Sequence, residues 1–311
     1  MSDLPVFDHD AVLRAVGPLD AIERVRDGFV RYATGEWDMP PKVYLMVPPA
    51  GDFRAMPAKG GGLAILKWVT SFPGNPARGL PVVMGMICVS SSETGEPLAL
   101  VDVRAVTALR TGAVAAVAAQ ELAREDARTV GILGCGLHGA WAARCLAAAE
   151  FGPGVCFDID PEAAGALAGE LGWEVGARED ALACDVVTCV TPGNEPVVRA
   201  SDLRPGVHLN MLGADGPGKA EAELEAVERC RLFCDEWAQA SHGGELTGAV
   251  EAGRVAREDV TDLGAVLTGT AEGRTAPDEI TLFDSTGLAI QDLALCHAIL
   301  GAGMKVPTAR L

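Results

Sequence analysis

Apolar and polar positions change their period several times along this chain, and each change marks an element. Residues 10–34 place Val12, Leu13, Val16, Ile22, Val25, Phe29 and Val30 at helical spacing, interrupted at Gly17-Pro18, which predicts two helices. Short alternating or apolar runs follow at 42–47, 53–57, 64–70, 82–90 and 97–103. They are separated by Pro48-Pro49, Gly60-Gly61-Gly62, Pro73-Gly74-Asn75-Pro76 and Ser92-Glu93-Thr94-Gly95, so an antiparallel or mixed sheet is predicted there. From about 105 to 123 nearly every position is Ala, Val or Leu, and a helix apolar all round is a buried one. Apolar strands at 130–133, 155–157, 185–191, 207–212, 231–234 and 280–284 then alternate with helical stretches, the pattern of a doubly wound α/β sheet. Residues 287–300 form a last apolar helix.

The first of those later strands leads into Gly134, Cys135, Gly136, Leu137, His138 and Gly139. An Ala-rich helical run and the strand 155–157 follow. This is the strand, glycine turn, helix and strand of a dinucleotide fingerprint. Gly134 permits the tight turn, Gly136 lets backbone N–H groups approach a pyrophosphate, and Gly139 lets helix and strand pack closely. The helix N-terminus adds unpaired donors and a favourable dipole. Asp158 stands at the end of the second strand, roughly 20 residues on, where an acid accepts from the adenosine ribose hydroxyls.

Charge and composition narrow the partners. A net charge of −18 argues against nucleic acid or an anionic membrane, so any anionic ligand is held by local donors. Hydrophobic content of 49% suffices for a large core and two domains, and no apolar run reaches the length of a membrane span. The start M-S-D-L-P-V-F-D has no basic-then-apolar leader, so a cytoplasmic location is expected. Nine cysteines without C-x-x-C pairs read as reduced core thiols, and five scattered histidines give no ligand spacing, so no metal is expected.

Four cations, Lys42, Arg54, Lys67 and Arg110, sit in or beside strongly apolar stretches. An unpaired buried charge is costly, so each needs an anion or a route to the surface. Internal carboxylates would serve; a substrate α-carboxylate would explain several at once. Asp215 follows the strand 207–212, where open α/β sheets bind ligands, but beside glycines and a proline it also fits an ordinary turn.

The motifs V-T-A-L-R-T-G-A (106–113), G-C-G-L-H-G, L-G-A-D-G-P-G-K-A-E (212–221) and T-L-F-D-S-T-G-L-A-I-Q-D (281–292) occur in this order. With F-R-A-M-P-A (53–58), the strand around Lys67 and G-L-P (79–81), the chain closely resembles the ornithine cyclodeaminase/μ-crystallin family over nearly its whole length. The resemblance implies a Rossmann-type doubly wound domain, drawn at 121–289, and an α+β substrate and dimerisation domain from 1–120 and 290–311. It implies homodimers that bind NAD or NADP. Lys42, Arg54, Lys67 and Arg110 would hold the substrate carboxylate and neighbouring atoms, with Lys67 and Asp215 catalytic. Asp215 would handle the amine or imine proton. Thr191, Ser285, Thr286 and Gly287 would join Gly134, Gly136, Leu137, His138, Gly139 and Asp158 around the cofactor. Asp158 would repel a 2′-phosphate, which favours NAD.

Two departures bear on substrate. Cyclodeaminases carry a carboxylate just before the Met-Pro to receive ornithine's distal ammonium; here Arg54 stands there, as in the alanine dehydrogenase-like branch, which should repel a second ammonium and attract a second anion. The substrate-contacting Thr after G-L-P is Val82 here. The expectation is therefore an NAD-dependent alanine dehydrogenase or ketimine/imine reductase, with hydride transfer at the substrate Cα in the cleft between domains. The alternatives are ornithine cyclodeaminase and a non-catalytic cofactor-binding protein of μ-crystallin type.

Overall fold

The computed structural model describes residues 3–192, 195–216 and 218–310. Along the chain run β1 (Asp3–Phe7), α1 (His9–Ala15), α2 (Pro18–Ala33), β2 (Val43–Val47), β3 (Gly51–Gly60), β4 (Leu63–Ser71), β5 (Val83–Ser91), β6 (Pro97–Asp102) and α3 (Val103–Leu122). Next come β7 (Val130–Leu133), α4 (Leu137–Ala148), β8 (Gly154–Phe157), α5 (Pro161–Leu171), β9 (Glu174–Val175), α6 (Arg178–Leu182), β10 (Val186–Cys189) and β11 (His208–Met211). The chain finishes with α7 (Leu224–Val227), β12 (Arg231–Cys234), α8 (Trp237–Gly243), α9 (Thr247–Glu251), β13 (Val260–Asp262), α10 (Leu263–Leu267), β14 (Thr281–Asp284), α11 (Ala289–Gly301) and β15 (Thr308–Arg310). Two compact units result, 1–110 with 288–311, and 111–287, where the sequence pattern places the boundaries at 120/121 and 289/290.

The first unit is built on a seven-stranded sheet of order β15-β1-β6-β5-β4-β3-β2. It is mixed, since β1 runs parallel to β6 and every other pair is antiparallel. Strand alternation decides which residues face inward. In β4, Ile65, Lys67 and Val69 point to the buried face while Leu66 and Trp68 point outward. The buried face is covered by α11, whose residues from Ala289 to Cys296 are all buried. Lys67 thus enters an apolar layer because the strand period leaves it no other direction.

The second unit is an all-parallel sheet of order β13-β12-β14-β11-β10-β7-β8-β9, each central strand buried on both faces. Leu133, Val187, Leu209, Met211 and Leu282 anchor its core. The chain moves outward from β7 to β8 and β9, then returns to the other side of β7 as β10. The strand order reverses between β7 and β10, and the crevice at their carboxyl ends is where such sheets bind ligands. Among the described residues no helix is long and apolar enough to cross a membrane.

Candidate active site

Gly134 leaves β7 with φ +96°, a conformation side chains rarely adopt, and a Cβ there would lie 2.5 Å from the Val190 carbonyl oxygen. The turn therefore closes against the end of β10. A Cβ on Gly139 would meet the Gly134 carbonyl oxygen at 1.8 Å, which is how the first turn of α4 lies on β7. Gly136 differs: open space surrounds its Cβ position, and as N-cap of α4 it supplies no side chain to the first-turn N–H groups. These donors and the dipole of a 12-residue helix suit a pyrophosphate. Leu137 is exposed and His138 half-buried in that first turn. Asp158, at the tip of β8, accepts from Cys135 N–H (2.6 Å) and Asp160 N–H (2.9 Å), which fixes the carboxylate beside the glycine turn. The residues present fit a dinucleotide.

Thr191, just past β10, donates its N–H and hydroxyl to Glu221 at 2.6 and 2.8 Å. Ser285, Thr286 and Gly287 are buried past β14 and all donate to the carboxylate of Asp235, Gly287 N–H at 2.8 Å. Sequence reasoning missed Asp235, and with it a set of buried acids. Glu221 also accepts Gly213 N–H, Glu245 accepts the N–H groups of Glu221 and Ala222, and Asp284 accepts Leu246 N–H. Burial raises Asp284 well above the carboxylate range, helped by Asp235 and Glu245. Burial and the neighbouring Glu221 push Glu245 up to about 8.

That proton has a consequence for stability. A raised carboxyl contributes stability fully below its unfolded value, 4.5, and loses it as pH climbs through the folded value near 8. His208, pulled down to about 3 by burial, acts in the opposite sense but only below 6.5. Lys67, lowered to about 8, adds its part only above that. Between pH 6.5 and 8 Glu245 contributes about 2 kcal/mol at most, and the raised Asp284 acts in the same direction. The melting temperature is expected to fall by a few degrees across this range, and Glu245→Gln to flatten the fall, by scanning calorimetry.

Asp215 lies past β11 and is partly exposed, its Oδ1 2.6 Å from Lys219 Nζ one helical turn along the sequence. An exposed ion pair of this kind is weak and exchangeable.

In the first unit, Lys67 and Arg110 are brought together by a residue not singled out from sequence, Asp292 of α11. Lys67 Nζ stands 2.7 Å from Asp292 Oδ1 and Arg110 Nε 4.0 Å from the same oxygen. Both Lys67 and Asp292 are buried, and Arg110 is 12% exposed. Burial lowers Lys67 to about 8; Asp292 opposes this, while Arg110 and Arg54 add to it. Arg110 also donates to Gln291 Oε1 at 3.2 Å. The expectation that Arg54 attracts a second anion is met inside the chain: Asp52 takes its Nε at 2.7 Å and Nη2 at 3.2 Å, and Tyr44 lies under the guanidinium. Strand alternation puts 52 and 54 on one face, so Asp52 supplies an internal anion for Arg54. Lys42 is half-buried immediately before β2. Among the described residues no cluster is arranged to hold a metal.

A reversing parallel sheet with a glycine turn at its switch point, joined to a mixed-sheet unit carrying a buried cation cluster, defines a two-unit Rossmann-type α/β protein. The chain belongs to the ornithine cyclodeaminase/mu-crystallin family, whose model matches residues 9–302. It is 42% identical over 287 residues to an alanine dehydrogenase of Archaeoglobus fulgidus, covering 90% of this chain and 89% of the relative. The fold matches an archaeal alanine dehydrogenase dimer with bound NAD at a TM-score of 0.95 and 38% identity over 100% of both chains. It matches Thermococcus litoralis Δ1-pyrroline-2-carboxylate reductase, solved with NADH and L-proline, at 0.92 and 26%, covering 99% and 100%.

Proposed function

We propose that this chain is an NAD-dependent oxidoreductase that interconverts a small α-amino acid and its imine or 2-oxo acid. The observation that carries the reading is the charge of the Lys67, Arg110 and Asp292 cluster: two cations share one carboxylate in a buried setting. The surplus positive charge suits a substrate carboxylate, and Arg110 offers a planar fork to it. Arg54 is balanced by Asp52, so this strand presents no free carboxylate to a distal ammonium, which disfavours ornithine cyclisation. The alanine dehydrogenase and pyrroline-carboxylate reductase among its relatives support an amino-acid or cyclic imine substrate.

Bound nicotinamide would supply or accept the hydride. The first turn of α4 would hold the pyrophosphate and Asp158 the ribose hydroxyls, where a 2′-phosphate would meet like charge. Lys67 and Arg110, with Lys42, fix the carboxylate, so that Cα presents one face to hydride. Asp215 takes the proton from the amine in oxidation and returns it in reduction. Incubating the protein with NADH, 2-oxo acids plus ammonia, and cyclic ketimines should oxidise NADH with at least one of them. NADH binding without turnover across the whole panel would favour a pure binding protein.

The homodimer belongs to the same proposal. All five residues of the edge strand β2, V-Y-L-M-V, are between 39% and 63% exposed, and Leu66, Trp68 and Met86 continue the apolar face. An exposed apolar edge strand is a pairing surface, and the archaeal relative is a dimer. Sedimentation velocity should give a dimer for the wild type and a monomer for Leu45→Glu/Met46→Glu; a monomeric wild type at micromolar concentration contradicts this.

A further inference from the structure

We propose that Gln291 and Asp292, adjacent on α11, are positioning residues: Asp292 holds Lys67 charged and in place, and Gln291 aims Arg110 at the substrate carboxylate. This rests on the function proposed above. Its first support is placement. α11 is otherwise apolar here, A-I-Q-D-L-A-L-C, and both polar side chains are fully buried. A carboxylate left unpaired in such a layer is strongly destabilising. Asp292 meets that need through Lys67 at 2.7 Å, and Gln291 accepts from Arg110 Nη1 at 3.2 Å and Leu288 N–H at 3.3 Å.

The second support is a concentration of unmet hydrogen-bonding capacity at this spot. Thr107 Oγ1, Arg110 Nε, Gln291 Nε2 and Asp292 Oδ2 are all buried without a hydrogen-bond partner. Buried polar atoms are nearly always satisfied, so four on two neighbouring helices mark a place prepared for a polar ligand. Three of the four belong to donor groups, which matches an incoming carboxylate. Asp292 then has a different task from the donors: it keeps the lysine protonated until the substrate arrives.

The charged and titratable groups around Lys67 are Asp292 and Cys296 from α11, Arg110 from α3 and Arg54 from β3. Asp292 is the one that raises the Lys67 value; burial, Arg110 and Arg54 lower it. With Asp292→Asn, Lys67 should titrate about one unit or more below 8 and be at least half neutral at pH 7. The KM for the oxo acid should rise roughly tenfold or more at pH 7 with a smaller change in kcat. The alkaline limb of kcat/KM should move to lower pH. Asp292→Glu keeps the charge and should restore both. Gln291→Ala should raise KM without moving the Lys67 titration.

The test is lysine Cε NMR of 13C-labelled protein across pH, with Lys67→Met identifying the signal among five lysines, alongside pH-rate profiles. An unchanged Lys67 titration in folded Asp292→Asn overturns the proposal, as does Asp292→Glu behaving like Asp292→Asn. Where Asp292→Asn does not fold, Asp292→Glu and Gln291→Ala carry the test: a wild-type KM in Gln291→Ala overturns the role given to Gln291. The NMR readout needs no turnover. A wild type that reduces no oxo acid or imine refutes the proposed function, while the Lys67 shift still reports the hold of Asp292.

Discussion

Replacing Asp215 with asparagine is expected to lower kcat about 10²–10⁴-fold while NADH binding stays within about twofold. Asparagine keeps the size and the hydrogen-bonding oxygen but does not take up a proton, so a loss of this order isolates proton transfer. The change also removes the ion pair with Lys219, yet both side chains are about one-third exposed. Such a pair contributes at most about 1 kcal/mol, so the fold should survive. Steady-state rates combined with NADH fluorescence titration separate the effects. Unaltered turnover would remove Asp215 from the chemistry and leave Lys67 as the group to examine.

Gly139→Ala is expected to weaken NADH binding by about 100-fold or more and to destabilise the nucleotide-binding unit by about 1–3 kcal/mol. Its Cβ would lie 1.8 Å from the Gly134 carbonyl oxygen and 2.9 Å from the carbon, both backbone atoms. Either α4 lifts away from β7 or the turn opens, and both misplace the N–H groups meant for the pyrophosphate. Gly165→Ala is the control, because nothing lies within 4 Å of its added methyl in α5 and alanine favours a helix. Calorimetry and NADH titration of both variants check this; Gly139→Ala with wild-type affinity would mean that α4 does not carry the phosphates.

The nucleotide-binding unit was legible because buried parallel strands and a glycine turn write their geometry locally. The outer strands of the first unit were not: β1 finds β15 through pairs such as Asp3 with Arg310, which no local pattern announces. Of the four cations in apolar stretches, the structure brings Lys67 and Arg110 together, around Asp292. The same argument applied to acids would have found Asp292, a carboxylate inside an apolar helix. Strand alternation would likewise have joined Asp52 to Arg54. Asp284, closing the apolar strand β14, would have been found the same way as Asp292, whereas Glu221, Asp235 and Glu245 sit in bends or turns where acids are usually solvated. Only tertiary packing buries them.

The central claim is hydride transfer at the substrate Cα, and isotope transfer tests it most directly. The protein is incubated with NADH deuterated at C4, in each of its two stereoisomers, together with ammonia and a reactive 2-oxo acid, or with a reactive cyclic imine. Mass spectrometry and NMR of the amino acid should show one deuterium at Cα from one stereoisomer and none from the other. Amino acid free of deuterium from both, or NADH bound but never oxidised, would contradict the account.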